Sequence, residues 1–378
     1  MLLSEIAFTP PRFLIIGAGA IGSLVGGRLA QVGADVTLVG RPAYVAAVRA
    51  HGLQLTNPDG QTTVVSAVRA VSSVAKAFTD PTGYDLALLT VKGYDTAGVI
   101  RELQDAVAAP PPILTLQNGA GNEERLAEAF GPQQVLAGVI TAPVEVPEPG
   151  RIVVTKRGQI GLAPVAPAFE PTGRDDSIHH QLSHVPDAVS ALLEGTSSWL
   201  EKAGFQVCLY RDYRALKWTK LLLNMLANAT CAILGWPPER VFADQRLAAL
   251  EIGAWREALA VMRAVNIRLL PLGGYPLPWV APLVRWLPTA LLQPLLRKAI
   301  SGGRGGKMPS LYLDLERGRG KSEVVYLNGA IVKAGERYGV PVPINRSLTA
   351  VLLNIVQGRV PWDEFRGRPE RLLRAVGK

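Results

Sequence analysis

Residues Gly17-Ala18-Gly19-Ala20-Ile21-Gly22 stand between a short apolar run, Phe13 to Ile16, and a helix-patterned run, Ile21 to Gln31. A GxGxxG spacing alone is a weak signal. Here a strand precedes it, a helix follows it, and a second apolar strand, Asp35 to Val39, completes a βαβ unit. That context turns it into a strong sign of a dinucleotide site. Gly17 permits the tight turn, Gly19 lets backbone approach a pyrophosphate, and Gly22 allows helix and strand to pack closely. The helix start then offers N–H groups and a partial positive charge to the phosphates. A glycine-rich turn without ligand is the competing reading.

The end of the second strand bears on which dinucleotide binds. Where NAD enzymes usually carry an Asp or Glu for the ribose 2′-hydroxyl, this chain reads Val39-Gly40-Arg41. A carboxylate would repel a 2′-phosphate, whereas an arginine can hold one bidentately, so NADPH is expected over NADH. Arg41 as a solvated surface cation is the alternative.

Further apolar strands are expected at Leu86 to Val91 and Ile113 to Leu116, continuing an alternation that implies a parallel sheet covered by helices. Arg151 to Thr155 and Gln159 to Leu162, joined by Lys156-Arg157-Gly158, read as a hairpin. Pro164 to Pro186 reads as a polar surface insertion. Its His179, His180 and His184 lack a carboxylate or Cys framework, so no metal site is expected. From Tyr213 onward the rhythm turns helical, with long patterns over Tyr213 to Ala232, Gln245 to Val265, Val324 to Tyr338 and Ser347 to Val356. The chain is therefore expected to be α/β, with a Rossmann-like dinucleotide-binding domain over residues 1–207 and an all-helical substrate domain over 208–378. The active site is expected between them.

Composition removes other classes. The formal charge is +9, but the basic residues are scattered and no nucleic-acid motif accompanies them. A positive field also attracts anionic cofactors and acids. The two cysteines, Cys208 and Cys231, form neither a CxxC nor a Cys/His cluster, and a reducing cytoplasm fits them. The N-terminal stretch has neither a basic region nor a small-residue cleavage site, so no signal peptide is expected. The most membrane-like stretch, Leu269 to Ile300, is broken by six prolines and carries Arg285 in its middle. A packed helical insertion or apolar flap is expected there rather than a transmembrane span, with peripheral membrane contact left open. A homodimer is compatible with the sequence.

The chemistry is most legible in Trp218 to Asn228. This segment is strongly apolar, yet Lys220, Asn224 and Asn228 recur at i, i+4 and i+8, along one side of a helix. Burying a lysine and two amides is costly unless they meet partners. A cleft holding an acidic substrate would supply them; a structural carboxylate paired with Lys220 is the alternative. Hydride attack on a ketone develops negative charge on oxygen, which a nearby ammonium stabilises and protonates.

With these residues in view, the sequence resembles the ketopantoate reductase (2-dehydropantoate 2-reductase) family. The matching elements run in order: Gly17 to Gly22, Leu89-Thr90-Val91-Lys92, Gln117-Asn118-Gly119, Trp218 to Asn228, and Lys321-Ser322-Glu323 leading to Leu327-Asn328-Gly329. The resemblance implies that Lys220 is the proton donor, that Glu323 is the active-site acid, and that Lys92 lies beside the cofactor and can contribute to catalysis. It implies that Asn224 and Asn228 bind substrate, that Asn118 lies between nicotinamide and substrate, that Ser310 binds the substrate carboxylate, and that Arg41 grips the 2′-phosphate of NADPH. The implied reaction is reduction of ketopantoate to (R)-pantoate on the route to pantothenate and coenzyme A. Judged alone, Glu323 reads as readily as a helix-capping acid. The chain departs from the family in two insertions, Pro164 to Pro186 and Leu269 to Gly306, and in Ser-Glu-Val-Val where Thr-Glu-Ile-Asp is usual. Two rival readings stand: the same chemistry on another 2-oxo acid, and a dinucleotide sensor without turnover.

Overall fold

Short hydrophobic segments that bury both faces form the centre of the first unit. In the computed structural model, which describes residues 10–80, 82–166, 186–304 and 307–377, Phe13 and Ile15 enter one apolar cluster while Leu14 and Ile16 enter another on the opposite face. This is the two-sided burial of a parallel sheet sandwiched by helices. His179, His180 and His184 lie outside the described residues.

Among the described residues there are twelve strands: β1 Arg12–Ile16, β2 Asp35–Val39, β3 Leu53–Thr56, β4 Thr62–Val65, β5 Val68–Val71, β6 Leu86–Leu89, β7 Ile113–Thr115, β8 Val135–Ile140, β9 Val144–Glu148, β10 Arg151–Val154, β11 Gln159–Pro164 and β12 Gln206–Leu209. Eight make the main sheet in the order β12-β11-β8-β7-β6-β1-β2-β5. Every neighbouring pair is parallel except β11 with β8. The strand order reverses around β1, which lies between β6 and β2; in open α/β sheets ligands bind at such a switch point, beyond the carboxyl ends of the strands. The fold is α/β, with this Rossmann-like sheet in the N-terminal half and a helical C-terminal half.

The hairpin expected over residues 151–162 does not form. β10 pairs with β3 and β9 in a separate four-stranded sheet, while β11 joins β8 in the main sheet. Thr141 and Gln159 fix this arrangement: Thr141 N–H donates to the Gln159 carbonyl at 3.0 Å, and Gln159 N–H donates to Thr141 Oγ1 at 2.9 Å. The true hairpin partner of β10 is β9, across the Pro149-Gly150 turn.

One compact unit runs to Gln117 and resumes from Asn122 to Tyr213; the other takes Asn118–Gly121 and continues from Arg214. The expected division at 207/208 falls inside β12, whose Cys208 and Leu209 still pair with β11. The second unit is helical, with an isolated bridge between Leu272 and Tyr275. Its core gathers Trp218, Leu221, Leu222 and Met225 with Phe242, Trp255 and Leu352.

Two expected helices are interrupted. The Tyr213–Ala232 pattern divides into Tyr213–Met225 and Asn228–Leu234, with Ala227 left-handed at φ 57°. The cause is a buried carboxylate: Ala227 N–H donates to Glu251 Oε2 at 2.6 Å, and Thr230 Oγ1 hydrogen-bonds the other oxygen of Glu251. The Val324–Tyr338 pattern divides into a 3-10 turn, Glu323–Tyr326, and the helix Asn328–Tyr338. The Leu269–Ile300 stretch holds the helices Leu277–Trp286 and Thr289–Arg304. Among the described residues no helix is long and apolar enough to cross a membrane.

Candidate active site

In the first unit the glycine turn sits where β1 ends. Gly17 has φ 108°, and the N–H groups of Gly17 and Ala18 donate to the Val39 carbonyl at 3.1 and 2.9 Å, tying the turn to β2. A Cβ on Gly17 would come within 2.7 Å of Val91 N, and one on Gly22 would strike the Gly17 carbonyl and Thr90 Oγ1, so both glycines are required by close approach. Thr90 Oγ1 donates to the Gly17 carbonyl at 2.7 Å and locks the turn from the β6 side. Over Gly19 the space is open: a Cβ there meets nothing nearer than 4.0 Å.

The helix Ala20–Gln31 starts at this turn with Gly19 as N-cap and no side-chain cap. Its first turn is thus presented by backbone alone, which fits a phosphate at the helix start. Helix Pro42–His51 is held close by, because Ser23 Oγ donates to Tyr44 Oη at 2.8 Å inside the core. Burial pushes the Tyr44 phenol up to about 12, against the opposing pull of the Ser23 bond, so it stays neutral and serves as packing. Arg41 is the N-cap residue of that helix and is exposed. Lys92 precedes the 3-10 turn Gly93–Asp95, two residues beyond Thr90, and is half-buried. The turn Gly17–Gly22, Arg41 and Lys92 therefore all lie at the carboxyl ends of β1, β2 and β6. Below them Gln117 Nε2 donates to the Val91 carbonyl at 3.0 Å and to Thr96 Oγ1 at 2.9 Å, a buried network that holds the β6 and β7 ends in register.

In the second unit the amides form a connected chain. Asn224 Nδ2 donates to Asn118 Oδ1 at 3.0 Å. Asn228 Nδ2 donates to the Asn224 carbonyl at 3.0 Å and lies 3.4 Å from Ser310 Oγ, while Asn228 Oδ1 accepts from Leu311 N–H at 3.1 Å. The helix break at Ala227 thus leaves Asn228 in touch with Asn224, but through its side chain rather than as the next step of one helical stripe. Asn228 is buried and its carbonyl oxygen is spent on the start of helix Ser310–Glu316. Asn224 is half-buried, and Asn118 and Ser310 are exposed.

Lys220 is half-buried, one turn before Asn224 on the Tyr213–Met225 helix. Lys217 was missed by sequence reading, although it is the more deeply buried lysine, at 2% exposure. Its spacing of three from Lys220 and seven from Asn224 was the available signal. Glu323 is buried, at 3% exposure, and opens its 3-10 turn beneath a Ser322 cap whose Oγ accepts from Val324 N–H at 3.2 Å. The Asn118 loop docks on this turn through Ala120 N–H to the Tyr326 carbonyl at 3.2 Å. Gly119, at φ 86°, lies so close to Tyr326 that a Cβ would collide with its backbone. Asn118, Asn224, Asn228, Ser310 and the Glu323 turn are therefore linked within one unit by short contacts. Among the described residues no cluster of His, Cys, Asp or Glu is disposed to hold a metal ion.

Comparison with known proteins gives consistent matches. Residues 13–167 match the family model described as Ketopantoate reductase PanE/ApbA, and residues 212–356 match Ketopantoate reductase PanE/ApbA C terminal. A 2-dehydropantoate 2-reductase of Archaeoglobus fulgidus is 29% identical over 350 residues, covering 92% of this chain and 97% of the relative. The crystal structure of a PanE/ApbA family ketopantoate reductase from Ralstonia eutropha JMP134 is 29% identical, with a TM-score of 0.71 over 92% of this chain and 99% of that one. The ternary structure of D-mandelate dehydrogenase with NADH and anilino(oxo)acetate shares the fold, with a TM-score of 0.73 at 21% identity over 92% of this chain and 98% of that one.

Proposed function

Because the chain belongs to the ketopantoate reductase family and is an oxidoreductase acting on a CH–OH group, we propose that it reduces 2-dehydropantoate to (R)-pantoate with NADPH, in pantothenate and coenzyme A biosynthesis. The observation that carries this reading is the linked set Asn118–Asn224–Asn228–Ser310 beside Lys220 and the buried Glu323. A 2-oxo acid offers a carboxylate and a ketone oxygen, and this set offers hydroxyl and amide donors and an ammonium to receive them.

The turn Gly17–Gly22 would hold the dinucleotide pyrophosphate, with Arg41 on the 2′-phosphate and Lys92 beside the bound cofactor. A bound NADPH supplies the hydride that adds to C2 of the substrate. Lys220 then donates its proton to the alkoxide oxygen as charge develops there, and its half-buried position strengthens that electrostatic help. Ser310 Oγ and Asn224 orient the substrate, Asn118 meets it from the docked loop, and Asn228 holds Asn224 and Ser310 in their relative positions. Glu323, as a buried acid, fixes the substrate hydroxyl and supports Lys220.

Purified protein should oxidise NADPH with ketopantoate faster than with pyruvate, 2-oxoisovalerate or phenylglyoxylate, followed at the nicotinamide absorbance. Equal or better rates with another 2-oxo acid would move the substrate assignment while keeping the reaction class. That second reading draws on one feature, the long insertion that ends just before Ser310 and begins with Leu270 N–H bonded to Thr219 Oγ1 at 3.1 Å, next to Lys220. NADPH bound without turnover of any oxo acid would instead point to a sensor.

A further inference from the structure

Six of the eleven exposed large apolar side chains among the described residues fall between 275 and 295: Tyr275, Trp279, Leu283, Trp286, Leu291 and Leu295. Trp279, Leu283 and Trp286 recur at i, i+4 and i+7 on helix Leu277–Trp286, and Leu291 and Leu295 at i and i+4 on helix Thr289–Arg304. Trp279 is 80% exposed and Trp286 73%. Each helix also buries a row of its own, Leu277 with Val284 and Leu292 with Leu296, against the core of its unit. The outward row is therefore not part of that core. A helix apolar on both sides needs a second apolar neighbour.

Both helices are tied to the body of their unit. Arg256 donates to the carbonyls of Val284 and Leu287 at 2.9 and 2.6 Å, and Gln293 Nε2 donates to the Phe242 carbonyl at 3.2 Å. Its outward row is thus presented by a fixed scaffold.

Charge identifies the neighbour. Between Glu257 and Asp314 the sequence has no acidic residue and seven basic ones. Arg285, Arg297 and Lys298 are exposed on the two helices themselves, and the Arg285 guanidinium lies 4.5 Å over the Trp286 ring. A second copy of the chain seated on this face would bring like charges together, because a two-fold contact opposes a patch to itself. Tryptophans with flanking arginines and lysines are instead the composition of a helix lying in a membrane interface, with apolar side chains below the headgroups and cations among them.

We propose that helices Leu277–Trp286 and Thr289–Arg304 dock the protein peripherally on an anionic lipid bilayer, with Trp279, Leu283, Trp286, Leu291 and Leu295 entering the interface and Arg285, Arg297 and Lys298 meeting lipid phosphates. Membrane surface charge contributes roughly a fivefold gain in partition for each nearby cation, so three cations multiply to about a hundredfold.

The test is flotation of the full-length protein with vesicles of phosphatidylcholine alone and of phosphatidylcholine mixed with phosphatidylglycerol. Wild-type protein should float with the anionic vesicles and stay behind with the neutral ones. The variant W279S/L283S/W286S should lose flotation, and R285Q/R297Q/K298Q should weaken it by about a hundredfold. All these side chains are exposed, and circular dichroism should confirm that both variants keep the wild-type fold. Equal recovery on neutral and anionic vesicles, or flotation unchanged in the tryptophan variant, would overturn the proposal. So would a concentration-dependent dimer in light scattering that the tryptophan variant abolishes, which would give the face to a second copy.

Discussion

Two cations would carry separable parts of the proposed chemistry at the scale of single residues. Lys220 is the proposed proton donor, and its removal leaves the Tyr213–Met225 helix packed through Leu221, Leu222 and Met225 on its other sides. Lys220→Ala should therefore keep the fold and lose about 10²–10⁴-fold in kcat, the range typical of a lost general acid. A near-normal rate in steady-state assay would remove Lys220 from the mechanism. Arg41 is exposed and caps its helix without a side-chain cap bond, so shortening it disturbs little else. Arg41→Ala should raise KM for NADPH by about 10–100-fold, the worth of a charge-assisted contact of roughly 1.5–3 kcal/mol, and leave KM for NADH unchanged. Equal effects on both cofactors would show that Arg41 does not touch the 2′-phosphate.

The element that decides the site's shape is the break between helices Tyr213–Met225 and Asn228–Leu234. A left-handed alanine costs on the order of 1 kcal/mol, and the Glu251 carboxylate offsets it by holding Ala227 N–H and Thr230 Oγ1 in the core. Glu251→Ala strands both donors and should destabilise the protein by about 3 kcal/mol, read from the urea midpoint. It should also raise KM for the oxo acid, because Asn228 and through it Ser310 take their positions from that break. A change under about 1 kcal/mol, small beside a lost charge-assisted hydrogen bond, would mean that the helix breaks without this carboxylate.

At the scale of the whole molecule, the first unit carries the dinucleotide features and the second carries the amide, hydroxyl and carboxylate set. A ligand that binds only the folded chain stabilises it by about 2.7 kcal/mol at a hundred times its Kd. NADPH should therefore raise Tm in differential scanning fluorimetry, and Arg41→Ala should erase the difference between NADPH and NADH. Ketopantoate added together with the oxidised cofactor should raise Tm further, and in Lys220→Ala that second rise should persist if Lys220 serves proton transfer more than binding.

Much of this was written locally in the chain. The glycine turn follows β1 and opens its helix because strand, turn and helix signals are contiguous from Phe13 to Gln31, and the spacing of Lys220 and Asn224 needs nothing beyond one helical turn. The features that escaped sequence reading depend on distant partners. The break at Ala227 is set by Glu251, on another helix. β10 leaves β11 for β3, a strand far earlier in the chain. β9, Val-Glu-Val-Pro-Glu, hides as a strand because most of its residues are exposed and it carries a proline. Asn118 reaches Asn224 because Gly119 can lie against Tyr326, a closeness that no spacing reveals. Local pattern indicates most of the elements and the residues proposed to bear chemistry; only the folded chain decides where elements break and which residues are brought together, because hydrogen bonds and close packing are satisfied in space and not along the sequence.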